Sequence, residues 1–180
     1  MKKAIFFDRD GVLNDNINRH VNKPEELILY DGVPEALKMA KEAGFELFVV
    51  TNQGGIELGH LSHEMLKKIH DRLEALLEGY CKFKEIIYCP DFKKPSECRK
   101  PAPGMILELA EKHNIDLINS WMVGDRDTDI TAGKAAGCFT VKIGDIDSRA
   151  DINELDLPNR RRERKVDLEA VVEAIIEESE

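Results

Sequence analysis

The sequence predicts an α/β fold, a doubly wound and mostly parallel sheet with helices on both faces. Short apolar runs alternate with longer segments of helical periodicity, which is the order that builds a parallel sheet. The runs are apolar on both faces, as expected for strands covered by helices on each side. No internal repeat or Pro/Gly/Ser-rich linker divides the 180 residues, so we expect a single domain over 1–180.

Each predicted element follows from a local pattern. Five runs rich in β-branched and aromatic residues are predicted strands, at 4–7, 45–50, 85–89, 121–123 and 138–143. Five segments of helical periodicity are predicted helices, at 34–44, 62–79, 104–114, 127–137 and 166–178. Pro34 and Ser62 are typical of helix starts, and Gly44 and Gly79 of helix ends. The polar tract 153–165 is predicted to be a surface excursion before the last helix.

Composition excludes several partners. With 26 Lys and Arg against 35 Asp and Glu, the formal net charge is −9, so we expect neither nucleic acid nor an anionic membrane as a partner. No run reaches the length of a membrane span, and charge interrupts the first apolar run too early for a signal peptide, so we expect a cytoplasmic protein. The cysteines have no spacing that dictates pairing, and a reducing cytoplasm would keep them as thiols or metal ligands; they are Cys81, Cys89, Cys98 and Cys138.

Polar side chains follow four of the predicted strands, where ligands bind in open sheets of this kind. They are Asp8 and Asp10 after the first, Thr51, Asn52 and Gln53 after the second, Arg99 and Lys100 after the third and its loop, and Asp125, Asp127 and Asp129 after the fourth. A polar residue at one strand end is ordinary, but four such loops with complementary chemistry indicate a site.

Carboxylates at this edge predict a metal. Asp8 and Asp10 are two residues apart in extended chain and so face the same side. Together with Asp125 they would repel one another unless a hard divalent cation lay between them, and Mg²⁺ suits such oxygen ligands best.

The neighbouring donors predict phosphoryl transfer. Lys100, Thr51 and Asn52 could supply charge and hydrogen bonds to the oxygens of a bound phosphoryl group. Asp8, at the strand end, is then placed to attack phosphorus, and Asp10 to protonate the leaving oxygen and later to activate water.

Four motifs in this order and spacing resemble the haloacid dehalogenase superfamily of phosphatases, over residues 3–143. They are DRDGVLN at 8–14, TNQGG at 51–55, CRKPAPGM at 98–105 and VGDRDTD at 123–129. More narrowly, they resemble its branch of heptose-bisphosphate and histidinol-phosphate phosphatases. The resemblance implies a Rossmann-like core and Mg²⁺-dependent hydrolysis of phosphomonoesters through an aspartyl-phosphate. The reaction we expect is removal of the 7-phosphate of D-glycero-D-manno-heptose 1,7-bisphosphate.

The resemblance also implies a role for each matched position. Asp8 matches the nucleophile and a metal ligand, Asp10 the acid/base whose carbonyl meets the metal, Thr51 and Asn52 the phosphate site, Lys100 the third-motif cation, Asp125 a metal ligand, and Arg99 a substrate-binding arginine. Arg126 stands where this branch usually has lysine, and keeps the charge. Gln53, beside Asn52, and Arg19, in a cation-bearing loop, complete the candidate substrate contacts.

The spacing between motifs leaves no room for a cap domain, so two loops must border the site, at 14–27 and 89–100. The resembled branch often carries four zinc ligands in the second loop. Here those positions are Cys89, Asp91, Ser96 and Cys98. Because serine is a poor zinc ligand, we expect no structural zinc.

Several alternatives stay open from the sequence. Histidinol phosphate or a broader range of small phosphate esters could be the substrate. Of other classes, a receiver-type signalling domain also uses an acidic cluster, a threonine and a lysine, and a metal-dependent binding protein would have no turnover. We expect a monomer.

Overall fold

The computed structural model describes residues 1–16, 20–144, 154–158 and 167–179. Six strands form one sheet: β1 Ala4–Phe7, β2 Glu46–Asn52, β3 Glu85–Cys89, β4 Trp121–Gly124, β5 Phe139–Gly144 and β6 Glu154–Pro158. Five α-helices accompany them: α1 Val33–Glu42, α2 His63–Leu76, α3 Gly104–His113, α4 Asp127–Ala136 and α5 Leu168–Glu178. Short 3₁₀ turns lie at Pro24–Glu26 and Leu117–Asn119.

The sheet is parallel, with the strand order β3-β2-β1-β4-β5-β6. The chain runs outward from β1 to β3 on one side and then returns to build β4 to β6 on the other. The direction of winding therefore reverses between β1 and β4, and a crevice forms at such a point beyond the carboxyl ends of the strands. The predicted doubly wound α/β fold is confirmed.

Side chains of each strand alternate between two apolar cores, one on each face of the sheet. In β1, Ile5 and Phe7 join the core packed by α1, α2 and α5, whereas Ala4 and Phe6 join the core packed by α3 and α4. All four are fully buried. Helices on both faces thus explain why the strands read as unbroken apolar runs.

One segment differs from the prediction. Within the polar tract 153–165, residues 154–158 form β6 and pair in parallel with β5, with Val141 opposite Leu155 and Ile143 opposite Leu157. The prediction of a surface excursion is wrong there. Acidic residues alternate with the two leucines, so the run looked polar although it has the period-2 pattern of an edge strand. Residues 159–165 lie outside the described part of the chain.

The helices begin and end close to the predicted positions. Ser62 caps α2, since its hydroxyl oxygen accepts a hydrogen bond from the backbone N–H of Met65 at 3.0 Å.

Among the described residues, no helix has both the length and the apolar character needed to cross a membrane.

Candidate active site

The winding reversal places Asp8 and Asp125 on adjacent strand ends. Asp8 follows β1, and its backbone N–H donates to the carbonyl oxygen of Val123 in β4 at 2.9 Å. Gly11 then turns the chain with a φ of 85°. A Cβ there would collide with the Asp125 carboxylate, so only glycine lets the two loops approach this closely.

Three carboxylates converge in this crevice, from Asp8, Asp125 and Asp129, with ligand oxygens within 4.8 Å of one another. Burial, with the nearby Asp129 charge, raises the pKa of Asp8 to about 7 and that of Asp125 to about 6. The Oδ1 atom of Asp125 is buried without a hydrogen-bond partner among the described residues. A cluster of oxygen donors with an unpartnered buried oxygen fits a hard divalent cation such as Mg²⁺.

Lys100 is the cation of this cluster and is almost completely buried. Its Nζ lies 2.9 Å from Asp8 Oδ1 and 2.6 Å from Asp129 Oδ1, and it also donates to the carbonyl oxygen of Val50 at 2.8 Å. Burial alone would lower its pKa, but the two carboxylates outweigh that effect and raise it. The ammonium therefore stays charged beside the predicted nucleophile.

Asp129 is a site residue to which the sequence analysis gave no role. It lies in the first turn of α4, is 1% exposed, and accepts a hydrogen bond from the backbone N–H of Arg126 at 3.1 Å. Its spacing of four residues from Asp125 was a usable signal, because the first turn of a helix after a strand end faces the same crevice.

Asn52 fixes the loop that carries Lys100. Its amide nitrogen donates to the Lys100 carbonyl oxygen at 3.1 Å, and its Oδ1 accepts from the Lys100 backbone N–H at 3.0 Å. This two-way pairing joins the end of β2 to a residue 48 positions away. It holds Lys100 in a loop before α3, as the following Pro101 predicts.

Asp10 is held by donors from three directions. Arg9 contributes Nε at 3.2 Å and a second nitrogen at 3.0 Å, Asn14 its amide at 3.0 Å, and Gln53 its amide at 3.0 Å. Burial works against ionisation, but the Arg9 charge and these hydrogen bonds outweigh it, so the pKa of Asp10 lies below its usual value. The same Gln53 nitrogen also donates to Thr51 Oγ1 at 2.9 Å.

Arg99 is held at the edge of the site by its own loop. Its guanidinium donates to the Asp91 carbonyl oxygen at 2.8 Å and lies over the Phe92 ring, 4.9 Å from the centroid. The Glu57 carboxylate in turn accepts the backbone N–H groups of Phe92 and Lys93 at 2.5 and 2.7 Å. The 89–99 loop is thus tied to the loop after β2.

The cysteines of this loop differ from expectation. Cys89 and Cys98 form a disulfide, with their Cα atoms 5.5 Å apart, so the prediction that they stay thiols or metal ligands is wrong for this pair. The loop folds back on itself between them and brings them together, which a spacing of nine residues did not reveal. Cys81 and Cys138 are free thiols, as expected.

These positions do not fit a closed zinc site. Besides the two bonded sulfurs, the loop offers the Asp91 carboxylate, 3.6 Å from Cys98 Sγ, and the Ser96 hydroxyl, 3.5 Å from both sulfurs. Sulfur that is engaged in a disulfide is not a thiolate, and serine is a poor ligand.

Two other predicted residues lie apart from the central cluster. Arg126 is exposed at the start of α4, although its charge still lowers the pKa of Asp125 against the effects of burial and Asp129. Asp127 is exposed and pairs with Lys142 at 2.6 Å. Arg19 lies outside the described residues.

Comparison with known proteins agrees with this architecture. Residues 14–137 match the family model of haloacid dehalogenase-like hydrolases. A D-glycero-alpha-D-manno-heptose-1,7-bisphosphate 7-phosphatase of Photorhabdus laumondii is 36% identical over 154 residues, 79% of this chain and 84% of that protein. A D-glycero-beta-D-manno-heptose-1,7-bisphosphate 7-phosphatase of Pasteurella multocida is 38% identical over 144 residues, 76% of this chain and 78% of that protein.

The fold has a solved counterpart as well. The crystal structure of D,D-heptose 1,7-bisphosphate phosphatase from B. bronchiseptica, complexed with magnesium and phosphate, superposes with a TM-score of 0.84 at 28% identity and covers 98% of this chain and 99% of that one. A receiver-type signalling domain and a binding protein without turnover are therefore set aside. The chain belongs to the haloacid dehalogenase-like hydrolases, and it is a phosphatase.

Proposed function

We propose that this phosphatase removes the 7-phosphate of a D-glycero-D-manno-heptose 1,7-bisphosphate, with Mg²⁺ bound and Asp8 as the nucleophile. One observation supports this chemistry best. The carboxylates of Asp8, Asp125 and Asp129 meet the Lys100 ammonium where the winding of the sheet reverses. The names of the relatives support the choice of sugar.

The first half of the reaction forms a phospho-enzyme. An Asp8 oxygen attacks phosphorus, the bond from phosphorus to the ester oxygen breaks, and Asp10 gives a proton to that leaving oxygen. Mg²⁺, held by Asp8, Asp125 and the Asp10 carbonyl, would neutralise charge on the phosphoryl oxygens. Lys100 adds a fixed positive charge that needs no rearrangement. Asp10 is ionised in the free protein, and the approach of an anionic ester favours its protonation.

The second half returns the enzyme to its starting state. Asp10, now a carboxylate, takes a proton from a water molecule whose oxygen attacks phosphorus. The bond between phosphorus and Asp8 breaks, and inorganic phosphate leaves. Thr51 and the backbone that follows it border the phosphate, with the Thr51 hydroxyl oriented by Gln53.

Substrate selectivity should come from the two loops that border the site, at 14–27 and 89–100. The helices and strands between the motifs all belong to the sheet and its covering helices, so they do not form a cap over the site. Arg99 is the cation best placed for a second phosphate or for sugar hydroxyls, since its guanidinium is anchored at Asp91 and over Phe92. Arg126 and Arg19 remain proposed substrate contacts.

A substrate panel tests this proposal. We expect kcat/KM to be highest for heptose 1,7-bisphosphate, lower for heptose and hexose monophosphates, and lower for histidinol phosphate, with release of the 7-phosphate observed by ³¹P NMR. Asp8→Asn should abolish turnover and keep the fold, which separates true activity from contamination. Arg99→Ala should reduce the difference in kcat/KM between the bisphosphate and the monophosphates. Equal or better kcat/KM with histidinol phosphate would move the assignment to that substrate, and indifference to the second phosphate would indicate a general phosphatase.

A further inference from the structure

Arg9 is a fully buried arginine in the first motif, and the reaction as proposed gives it no direct part. Its Nε and one terminal nitrogen bind the Asp10 carboxylate, at 3.2 and 3.0 Å. Its other terminal nitrogen lies 3.1 Å from Nε2 of His70, a residue of α2 that is 61 positions away in the chain. A buried guanidinium needs an acceptor for each of its donors, so His70 is part of what holds Arg9.

The direction of that contact is fixed by chemistry. Arginine has donors only, so His70 Nε2 must be the acceptor, and its ring proton must be on Nδ1. Burial and the Arg9 charge lower the pKa of His70 to about 3, so the imidazole is neutral near pH 7. The residue is 8% exposed, and its ring lies against that of Tyr88, with centroids 6.2 Å apart. His70 is thus a buried, neutral acceptor.

Asp10 depends on this arrangement for its orientation. Both of its carboxylate oxygens receive Arg9 donors, while Asn14 donates to Oδ1 and Gln53 to Oδ2. We propose that His70 is a positioning residue for Asp10, because it fixes the plane of the Arg9 guanidinium and thereby aims the Asp10 carboxyl group at the leaving oxygen. The proposal rests on the acid/base role proposed above for Asp10.

Without an acceptor at position 70, the Arg9 guanidinium would turn toward a different acceptor. The groove beside His70 carries carboxylates of its own, including those of Asp71 and Glu74, and it is open to water. A rotation of Arg9 toward them would draw its nitrogens from Asp10. Misplacement of a reacting group by about 1 Å can cost on the order of 100-fold in rate.

A purely structural role and a positioning role predict different kinetics. Loss of an aimed general acid slows the departure of a poor leaving group, such as a sugar alkoxide, and leaves a good one nearly unaffected. A loosened fold slows both. The quantity to compare is kcat/KM, since it reports the first chemical step.

The test compares two amides at position 70. In His70→Gln the side-chain oxygen can reach the place of Nε2, whereas in His70→Asn it reaches only the place of Nδ1. Each variant is assayed with Mg²⁺ on a hexose 6-phosphate and on 2,4-dinitrophenyl phosphate. We expect His70→Asn to lose roughly tenfold or more in kcat/KM on the sugar phosphate and less than about threefold on the aryl ester. His70→Gln should recover most of the loss.

His63→Gln is the matched control, because His63 is on the same helix and bonds the Tyr88 hydroxyl at 2.7 Å instead of bonding Arg9. It should leave both substrates unchanged. Equal loss on both substrates with His70→Asn, or no difference between the two amides, would overturn the positioning role. Asp10→Asn separates the two proposals: a selective loss there with none in His70→Asn rejects only the role of His70, and an equal loss there on both esters rejects the acid role itself.

Discussion

Each of the two buried cations of the site, Arg9 and Lys100, contacts carboxylate oxygens and one neutral acceptor. Lys100 has the Val50 carbonyl oxygen, and Arg9 has His70 Nε2. A cation without water must have all of its donors satisfied, and the neutral acceptor supplies this without adding another charge. At the scale of the residue, then, each buried cation is oriented by carboxylates together with one uncharged acceptor.

His70 should make the fold sensitive to acid. Its pKa is about 3 in the folded chain against an ordinary 6.5, so unfolding takes up a proton between those values and stability falls as the pH drops below 6.5. Between pH 7 and pH 5 this group alone should cost about 2 kcal/mol of unfolding free energy. Glutamine does not titrate, so in His70→Gln the unfolding free energy should fall less between pH 7 and pH 5, by about 2 kcal/mol. Urea unfolding at several pH values measures this slope of unfolding free energy against pH in both proteins. An identical slope in both proteins would mean that the pKa of His70 is the same in the folded and unfolded chain.

Asp129 should support activity through its ion pair with Lys100. Asp129→Asn keeps the shape and an oxygen acceptor for Lys100, but removes one of the two charges that hold the ammonium in place. We expect kcat/KM to fall by roughly tenfold or more, because the Lys100 ammonium would shift toward Asp8 and the carboxylate cluster would lose one charge. Asp127→Asn is the control, since that exposed side chain is in the same turn and pairs with Lys142. Activity within a factor of about two in Asp129→Asn would contradict this role.

At the scale of the element, periodicity predicted all five of the strands that are apolar on both faces, and it predicted the five helices. It missed β6, because an edge strand needs no apolar run. The positions of Asp8, Lys100 and Asp125 followed from the rule about strand ends. The contacts of His70 and Asn52 did not, because they depend on how α2 and the 89–100 loop pack against residues far away in the chain, which no local pattern encodes.

The 89–98 loop should hold its shape without zinc. Cys89 and Cys98 are joined, and neither Ser96 nor a lone Asp91 completes a four-ligand site. We expect metal analysis of the purified protein to give well under one zinc per chain. Thiol titration in denaturant should give two thiols, from Cys81 and Cys138, and four after reduction.

Zinc binding should also be measured after the Cys89–Cys98 disulfide has been reduced. The freed Cys89 and Cys98 thiols and the Asp91 carboxylate would then offer three donors, so zinc uptake is measured again after reduction under nitrogen. One zinc per chain in the unreduced protein, released only with loss of structure, would mean that the loop is a zinc site in spite of its sequence.

At the scale of the whole molecule, negative charge is concentrated where the fold reverses its winding. The chain as a whole carries −9, and three of its carboxylates lie in the crevice with ligand oxygens within 4.8 Å of one another. Without a cation this concentration opposes folding, and Lys100 neutralises only part of it. The fold therefore reserves at its centre a place that a divalent cation would stabilise.

Magnesium should accordingly raise the melting temperature, and do so more strongly at high pH. In the metal-free chain the pKa of Asp8 is raised to about 7 and that of Asp125 to about 6, so the folded state retains protons that the unfolded state has lost above pH 4. The stability that these protons provide is lost as the pH rises from about 4 to about 7, and within that range the protons compete with the metal for the carboxylates. At a concentration about 100 times the dissociation constant, Mg²⁺ should add roughly 5–10 °C at pH 8. At pH 5.5 the increase should be much smaller, and in Asp125→Asn it should be small at both pH values. An equal increase at both pH values in the unmodified chain would mean that the metal binds elsewhere, because the carboxylates with a pKa raised into that range, among the described residues, are those of Asp8 and Asp125.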